Sequence, residues 1–325
     1  MKKLFYTLLG LSFLTPTYAR ASNSLLFLEA QGVMGYSTMD KGIIYRSGHT
    51  HDTMQKNGVG FDYLHKFSGD YGDTGTGALQ MRMVWDDDRQ KFQLQTYNAY
   101  LKAKTELADV WAGHNRIAYG LSSYWDTHAD LLQPLSMNGF GEDRDWGVGL
   151  SRDFEKSDLA FALTTGSGMG LRTKGNWLAT SRGSYGVLSQ DNYNIGLSAM
   201  VGEKLETMGY KVMDPDPQNV ALGALDFSYN HNRFEHKFEV DYGQKSSRQA
   251  YAGFYRLGIN FLDENRLKLE GQYAYTHEKG KANQILSAGT TYKINADLTT
   301  RLMYQKEREM NNETVVLQLY YYFRY

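Results

Sequence analysis

Residues 233–244 read RFEHKFEVDYGQ, and their side chains divide into two chemically different sets. Successive side chains of a β-strand point to opposite faces. In this segment one face carries Phe234, His236, Phe238, Val240 and Tyr242, and the other carries Glu235, Lys237, Glu239 and Asp241. Four charges on one face cannot lie in a dry core without a large desolvation cost. The pattern therefore predicts a strand with water on one side and an apolar environment on the other.

The same period of two recurs along most of the chain, in about sixteen segments. Clear examples are residues 191–202, 250–261, 266–276 and 315–325, whereas no long stretch has the spacing of an amphipathic helix. On the polar face of these segments, the charged residues that we predict to line an interior are Lys66, Arg82, Glu235, Lys237, Glu239, Asp241, Arg256, Lys268, Glu270, Arg301 and Arg324. Phe254, Tyr320 and Tyr322 fall on the same face.

The N-terminus has the pattern of a secretory signal peptide. Lys2 and Lys3 precede an apolar run that ends at Leu14, and the small-residue site Ala19–Ala21 follows. We therefore expect residues 1–21 to be removed and residues 22–325 to form a single exported domain. After residue 21 there is no apolar stretch of the length that a membrane helix requires.

Composition narrows the class of protein further. The 325 residues include no cysteine, so a small disulfide-stapled scaffold is excluded, and 33 glycines and 25 tyrosines suit many strands and turns. The formal net charge of −1 gives no field to attract nucleic acid. In a membrane β-barrel, one face of each strand is in contact with water, so the hydrophilic mean hydropathy of −0.53 is compatible with a membrane location.

The connections between the strand-like segments add a second pattern. Short turns at 154–158, 202–204, 230–233, 263–265 and 295–297 follow even-numbered segments, and long links at 37–56, 119–143 and 166–190 follow odd-numbered ones. Long loops on one side and tight turns on the other are typical of outer-membrane barrels. The sequence therefore predicts an all-β fold: a transmembrane antiparallel β-barrel of about 16 strands, with short periplasmic turns and long extracellular loops.

The last eleven residues, VVLQLYYYFRY, fit the strand that closes such a barrel. With apolar residues at alternate positions and the terminal aromatic Tyr325, they resemble the C-terminal signal of bacterial outer-membrane proteins. The whole layout resembles the Gram-negative porin superfamily of sixteen strands. The resemblance implies a location in the outer membrane with its lipid and lipopolysaccharide, recognition by the barrel-assembly machinery, and a homotrimer. Where classical general porins have Pro-Glu-Phe-Gly-Gly, this chain has Asn138-Gly139-Phe140-Gly141-Glu142, so a monomer stays open.

Passage of solutes is the function that this architecture predicts, since a barrel of sixteen strands is too wide for side chains to fill. The link 119–143 holds the ordinal place of the porin loop that folds into the channel, and it carries Asp126, Asp130, Glu142 and Asp143. If this link folds inward, its carboxylates would face wall residues such as Arg82 and Arg256. Otherwise it is an extracellular loop whose acids meet water.

Two other functions stay open. Some outer-membrane barrels are lipid hydrolases, but Gly113-His114-Asn115-Arg116 shares only fragments of the phospholipase pattern His-x-Ser-Asn-Gly. His49-Thr50-His51-Asp52 could hold a transition metal, but two near-adjacent histidines in an exposed loop are usually polar surface. His128, near Asp126, shows no complete catalytic pattern, so we expect neither catalysis nor a cofactor or metal. Adhesion or reception through the long links is the other alternative.

Overall fold

In the computed structural model, residues 23–48, 54–70, 72–87 and 89–325 are described. Over these residues seventeen strands join in one sheet. In chain order they are β1 (Ser24–Ser37), β2 (Gly42–Ile44), β3 (Gly58–Gly69), β4 (Gly72–Asp86), β5 (Lys91–Lys104), β6 (Asp109–Arg116), β7 (Arg144–Asp153), β8 (Ser157–Thr164), β9 (Trp177–Tyr185), β10 (Tyr193–Met208), β11 (Lys211–His231), β12 (Phe234–Lys245), β13 (Arg248–Phe261), β14 (Leu267–Glu278), β15 (Lys281–Lys293), β16 (Leu298–Glu307) and β17 (Asn312–Arg324).

Over the same described residues, helical structure is limited to short turns. They are α1 (Leu188–Asp191) and three 3-10 turns, Leu121–Ser123, Leu135–Asn138 and Asp263–Asn265. In the described part of the chain, no helix has the length and apolar character needed to cross a membrane. The predicted signal peptide, and His49 and His51, lie outside the described residues.

The sheet closes on itself through its first and last strands. β1 pairs with β17 in an antiparallel register that places Ala30 opposite Tyr321, and on its other edge β1 pairs with β3. Each later strand pairs with the next one along the chain, while β2 is a three-residue arm that folds back on β1. The wall is therefore a closed antiparallel barrel of sixteen strands, which confirms the predicted fold and strand count.

The two faces of the wall differ as the alternation predicts. On β12, Phe238 and Tyr242 are 36% and 62% exposed, whereas Glu239 and Asp241 are buried inside. On β17, Leu317 and Leu319 point outward and Gln318 points inward, fully buried. A continuous apolar outer band would be unfavourable in water, so it suits a lipid environment.

The two ends of the barrel are also different. Both described chain termini and the turns after β3, β5, β7, β9, β11, β13 and β15 lie at one end, which we call the near side. On the opposite, far side, three long connections join β1 to β3, β6 to β7 and β8 to β9, and the other five connections are short turns. The prediction of long loops on one side is therefore correct for three of the eight far-side connections.

Two predicted connections are wrong. Residues 202–204 are not a turn, because they lie inside β10, which extends with β11 as a long hairpin beyond the barrel. Residues 166–190 are not one long link, because they contain all of β9. Strand β9 faces outward with Ala179, Ser181 and Gly183 between its aromatic ends, so it lacks the apolar alternation that marks the other strands.

Candidate functional site

The interior of the barrel is crossed by residues 117–143, the link between β6 and β7, which we call the inner loop. Its first turn is held by the wall of β10 and β12. The backbone N–H of Leu121 donates to the Glu239 carboxylate at 2.8 Å, and the Tyr119 hydroxyl donates to Asp241 at 2.5 Å. Gly120 has a φ of +57°, and a Cβ there would lie 2.6 Å from a Glu239 oxygen. Glycine is therefore required where the loop turns inward.

The loop then places aromatic rings among wall cations. The Tyr124 hydroxyl contacts Ser228 on β11 at 2.6 Å. Arg256 lies 4.3 Å from the centre of the Trp125 ring, and the Lys237 ammonium lies 4.8 Å from it on another side. Such cation–π contacts strengthen when water is excluded. They fix the loop against β12 and β13.

Asp126 turns the loop toward the opposite wall. Its carboxylate pairs with Arg116 at 2.9 Å and with Arg144 at 3.6 Å. The Asp126 side chain is 57% exposed. Partial desolvation inside the barrel would by itself raise the pKa of Asp126, but the charges of Arg116 and Arg144 outweigh it and lower the pKa below its usual value. Asp126 is therefore held in its charged form.

His128 continues the crossing to strands β1 and β4. Its Nε2 atom lies 2.7 Å from Glu29 and 3.1 Å from the Gln80 amide. The inner loop thus touches the wall on both sides of the barrel. Glu29 was not among the residues predicted from the sequence, although its position before Gln31 in the alternation of β1 marks it as inward.

After His128, the inner loop runs back along strands β13–β17. Asp130 lies 3.8 Å from Arg256, and the Leu132 carbonyl accepts a hydrogen bond of 2.7 Å from the same guanidinium. Leu131 and Leu132 pack with Val33, Met303 and Val316. Burial raises the pKa of Asp130 in spite of the attraction of Arg256 and Arg301.

The last part of the loop is anchored at the base of the β10–β11 hairpin. Glu142 accepts from Lys204 at 2.5 Å and from Thr207 at 2.8 Å, while Asp143 pairs with Arg144 at 2.6 Å. Burial raises the pKa of Glu142, and the nearby Lys204 charge offsets only part of that effect. All four predicted carboxylates of the inner loop therefore lie inside the barrel, each beside a cation.

Above the inner loop, the far half of the interior is packed. Met54, Tyr97 and Met169 come from three different segments and form one buried cluster. The Tyr210 hydroxyl, at the tip of the β10–β11 hairpin, reaches across to the Thr96 carbonyl on β5 at 2.9 Å. Arg82 is 1% exposed and contacts Glu29 at 3.5 Å and the Met54 carbonyl at 3.0 Å. Arg82 therefore pairs with the wall and the first link, and Arg256 is the predicted wall cation that meets an inner-loop carboxylate.

Below the inner loop, the near half keeps partly exposed charges. Lys268 bridges Glu235 at 2.8 Å and Glu270 at 3.1 Å. The Lys237 side chain is 13% exposed, that of Lys268 22% and that of Glu235 27%. Arg301 donates to Gln318 at 2.9 Å, and Lys66 lies at the near rim, 3.9 Å from Asp73. Charged side chains of both signs therefore line the near half of the interior, and several of them are accessible to water.

Several charged residues of the interior were missed by the sequence prediction. Arg182 on β9 makes two contacts with Asp226 on β11, the shorter at 2.7 Å, and lies 4.7 Å from the Tyr124 ring. It was missed because β9 was read as loop. Arg116 and Arg144 lie at the ends of β6 and β7, where no alternation remains to assign a face. Phe254, Tyr320 and Tyr322 do point inward, with Phe254 against Trp125 and the two tyrosines donating to Glu29 and Asp62.

Among the described histidines, two lie in the interior near the inner loop. His128 contacts Glu29 and Gln80, and His114 is fully buried beside Trp146. Among the described residues, no group of three or more His, Asp or Glu side chains is placed to hold a metal ion. The described interior therefore presents paired charges and aromatic rings.

Comparison with solved structures finds the same architecture in outer-membrane proteins. OmpF of Salmonella typhi, in complex with daunomycin, matches with a TM-score of 0.67 and 12% identity, over 92% of this chain and 97% of that chain. An anion-selective porin from Comamonas acidovorans matches with a TM-score of 0.63 and 12% identity, over 92% and 99%. OmpT of Vibrio cholerae in its trimer form matches with a TM-score of 0.63 and 11% identity, again over 92% and 99%.

No protein-family model matches the sequence, and no curated protein matches it. The closed sheet and these likenesses define the class by its fold, a porin-type outer-membrane β-barrel. Within that class, this chain is a barrel of sixteen strands whose interior is crossed by residues 117–143.

Proposed function

We propose that the protein is a passive diffusion channel of the outer membrane for ions and small hydrophilic solutes, narrowed by the inner loop. The observation that carries the proposal is the charged interior: ion pairs such as Lys268–Glu270 and Arg256–Asp130 line the barrel. Partly exposed charges of both signs favour hydrated solutes and exclude apolar ones. No chemical step and no cofactor are required.

The inner loop sets the expected size of this channel. Because it contacts both sides of the wall, through Glu239 on β12 and Glu29 on β1, only a narrow path is left beside it. We therefore expect a conductance well below that of an unobstructed barrel of sixteen strands. The proposal includes Lys66, Arg82, Glu235, Lys237, Glu239, Asp241, Arg256, Lys268, Glu270 and Arg301 as wall residues of the pore, and Asp126, Asp130, Glu142 and Asp143 as its constriction.

The cellular setting belongs to the same proposal. A signal peptide of residues 1–21 would direct export, and the strand that ends at Tyr325 would be read by the barrel-assembly machinery. The apolar outer band, with Leu317 and Leu319 on β17, would face lipid and lipopolysaccharide. A homotrimer is consistent with the trimer form of the Vibrio cholerae relative in fold.

Single-channel recording in planar bilayers under a salt gradient tests the proposal. We expect discrete steps of small conductance. A variant with Asp126→Asn, Asp130→Asn, Glu142→Gln and Asp143→Asn should shift the reversal potential toward anion preference, because four carboxylates leave the constriction. The matched control is Glu106→Gln with Glu155→Gln, two exposed acids in near-side turns. Absence of any step from folded protein would overturn the proposal.

A further inference from the structure

The near half of the barrel contains a cavity of about 440 Å³ against strands β5–β8. It exists because the inward positions of three adjacent strands are small. They are Gly113 on β6, Gly147 and Gly149 on β7, and Ala160 and Ala162 on β8. Side chains of ordinary size at these positions would fill the space. The volume is within the range of small-molecule sites.

Two aromatic side chains border the cavity beside these small residues. Tyr100 on β5 is paired in register with Gly113, so no side chain stands opposite its ring. The Trp111 ring lies over Gly149, whose Cβ, if present, would be 2.5 Å from the indole nitrogen. Both residues line the cavity. They offer ring surface of the kind on which the C–H face of a small solute packs.

Polar groups without protein partners complete the lining. Over the described residues, the Tyr100 hydroxyl, the Asn115 amide, the Ser151 hydroxyl and the Trp111 indole N–H make no hydrogen bond to the protein, and all four residues border the cavity. They supply donors and acceptors at several points around one space. A solute with many hydroxyl groups can use such a set.

The cations around the cavity are already neutralised. Lys102 pairs with Asp109 at 3.0 Å, Arg116 with Asp126 at 2.9 Å, and Arg144 with Asp143 at 2.6 Å. Three cations are therefore matched by three carboxylates. An anionic solute would have to compete with these pairs, whereas a neutral solute would leave them intact.

We propose that this cavity is a binding subsite for a small neutral polyhydroxy solute of the sugar class, on the near side of the inner loop. The solute packs on Tyr100 and Trp111, and it exchanges hydrogen bonds with Asn115 and Ser151. The inference deepens the proposed channel function, because it names a solute class that the channel would hold during passage.

The test uses the full-length barrel in detergent, with tryptophan fluorescence and calorimetry as readouts of glucose, sucrose and gluconate binding. We expect millimolar binding of glucose or sucrose and weaker binding of gluconate. Ala160→Leu should fill the cavity and weaken sugar binding at least tenfold, because the added side chain occupies the solute's space. The matched control is Ala112→Leu on β6, where Ala112 faces outward, and this variant should leave binding unchanged.

Folding of each variant is checked by its heat-dependent mobility on gels. Equal sugar binding by Ala160→Leu and the parent, or tighter binding of gluconate than of sugar, would overturn the inference. Bilayer recordings separate it from the channel proposal. Conductance steps without sugar binding would defeat the subsite alone, and sugar binding without steps would defeat the channel alone.

Discussion

The far and near halves of the barrel interior have the same kind of wall, but they differ in how much of the space inside the wall is filled. In the far half, the buried pair Lys204–Glu142 joins the β10–β11 hairpin to the inner loop, and Arg82, paired with Glu29 in the wall, donates to the Met54 carbonyl of the first link. A cavity between these segments measures about 70 Å³. In the near half, the cavity against β5–β8 measures about 440 Å³, and the charges of Glu235 and Lys268 are partly exposed.

Barrel width alone therefore does not decide how open the lumen is. A wall of sixteen strands encloses more space than its own side chains can fill. In this chain, connections from the far side enter the barrel and pack its far half. Buried charge pairs hold them there, and removing one partner of such a pair leaves a buried charge unsatisfied. Each region thus supports a different test.

The largest expected effect comes from releasing the inner loop. Replacing residues 125–133 by a Gly/Ser segment of the same length removes the contacts of Trp125, Asp126 and His128 with the wall. We expect single-channel conductance to rise about threefold or more, because the tip would no longer be held across the lumen.

Lys268→Met in the near half serves as the matched comparison for the released loop. It removes one partly exposed charge without touching the far-half packing, so its conductance should change little. Equal conductance of the loop variant and the parent would show that the inner loop does not limit passage.

A smaller effect is expected where the loop begins. Gly120→Ala forces a side chain into a positive φ and against the Glu239 carboxylate. The cost should be about 1–3 kcal/mol of unfolding free energy, measured by urea unfolding in detergent micelles. Gly170→Ala is the control, because a Cβ at Gly170 meets nothing within 4 Å. A loss as large for Gly170→Ala as for Gly120→Ala would mean that the anchor at Glu239 has no special role.

The sequence predicted the strands of the barrel wall much better than the segments that fill the interior. On β12, four charges alternating with apolar residues leave one solution, a strand between water and an apolar phase. That signal is local and repeats every two residues. It fails on β9, whose outward side chains are small or polar, and on residues 202–204, where β10 has passed beyond the apolar band and Gly and charged residues imitate a turn.

The sequence predicted that carboxylates of the inner loop would contact wall cations, but it did not predict which residues would pair. Asp126 and Asp130 were expected to face wall cations, and the structure places each beside one. The partners themselves depend on how a link of 27 residues, 117–143, crosses an open space, which no local period encodes. Glu29 with His128, and Arg116 with Asp126, are joined over about 100 and 10 positions of the chain, respectively.

The smallest expected effect is a pH dependence of ion preference that the carboxylates of the inner loop should cause and Lys66 at the near rim should not. The pKa values of Asp130 and Glu142 are raised by burial, whereas that of Asp126 is lowered by Arg116 and Arg144 despite burial. On acidification, Asp130 and Glu142 therefore take up protons before an ordinary carboxyl does, and Asp126 does so after it.

The permeability to cations relative to anions should thus fall first at pH values above the ordinary carboxyl pKa, as measured by reversal potentials. Protonation of Asp130 and Glu142 favours the folded state as pH falls through their raised pKa values. The stabilisation from Asp126 is present above its ordinary pKa and is lost as pH falls through the lowered value. Asp130→Asn should flatten the part of the curve above the ordinary carboxyl pKa, and Lys66→Met, at the near rim beside Asp73, should only displace the whole curve. A parent channel with no change of reversal potential above the ordinary carboxyl pKa would separate ion preference from the inner-loop carboxylates.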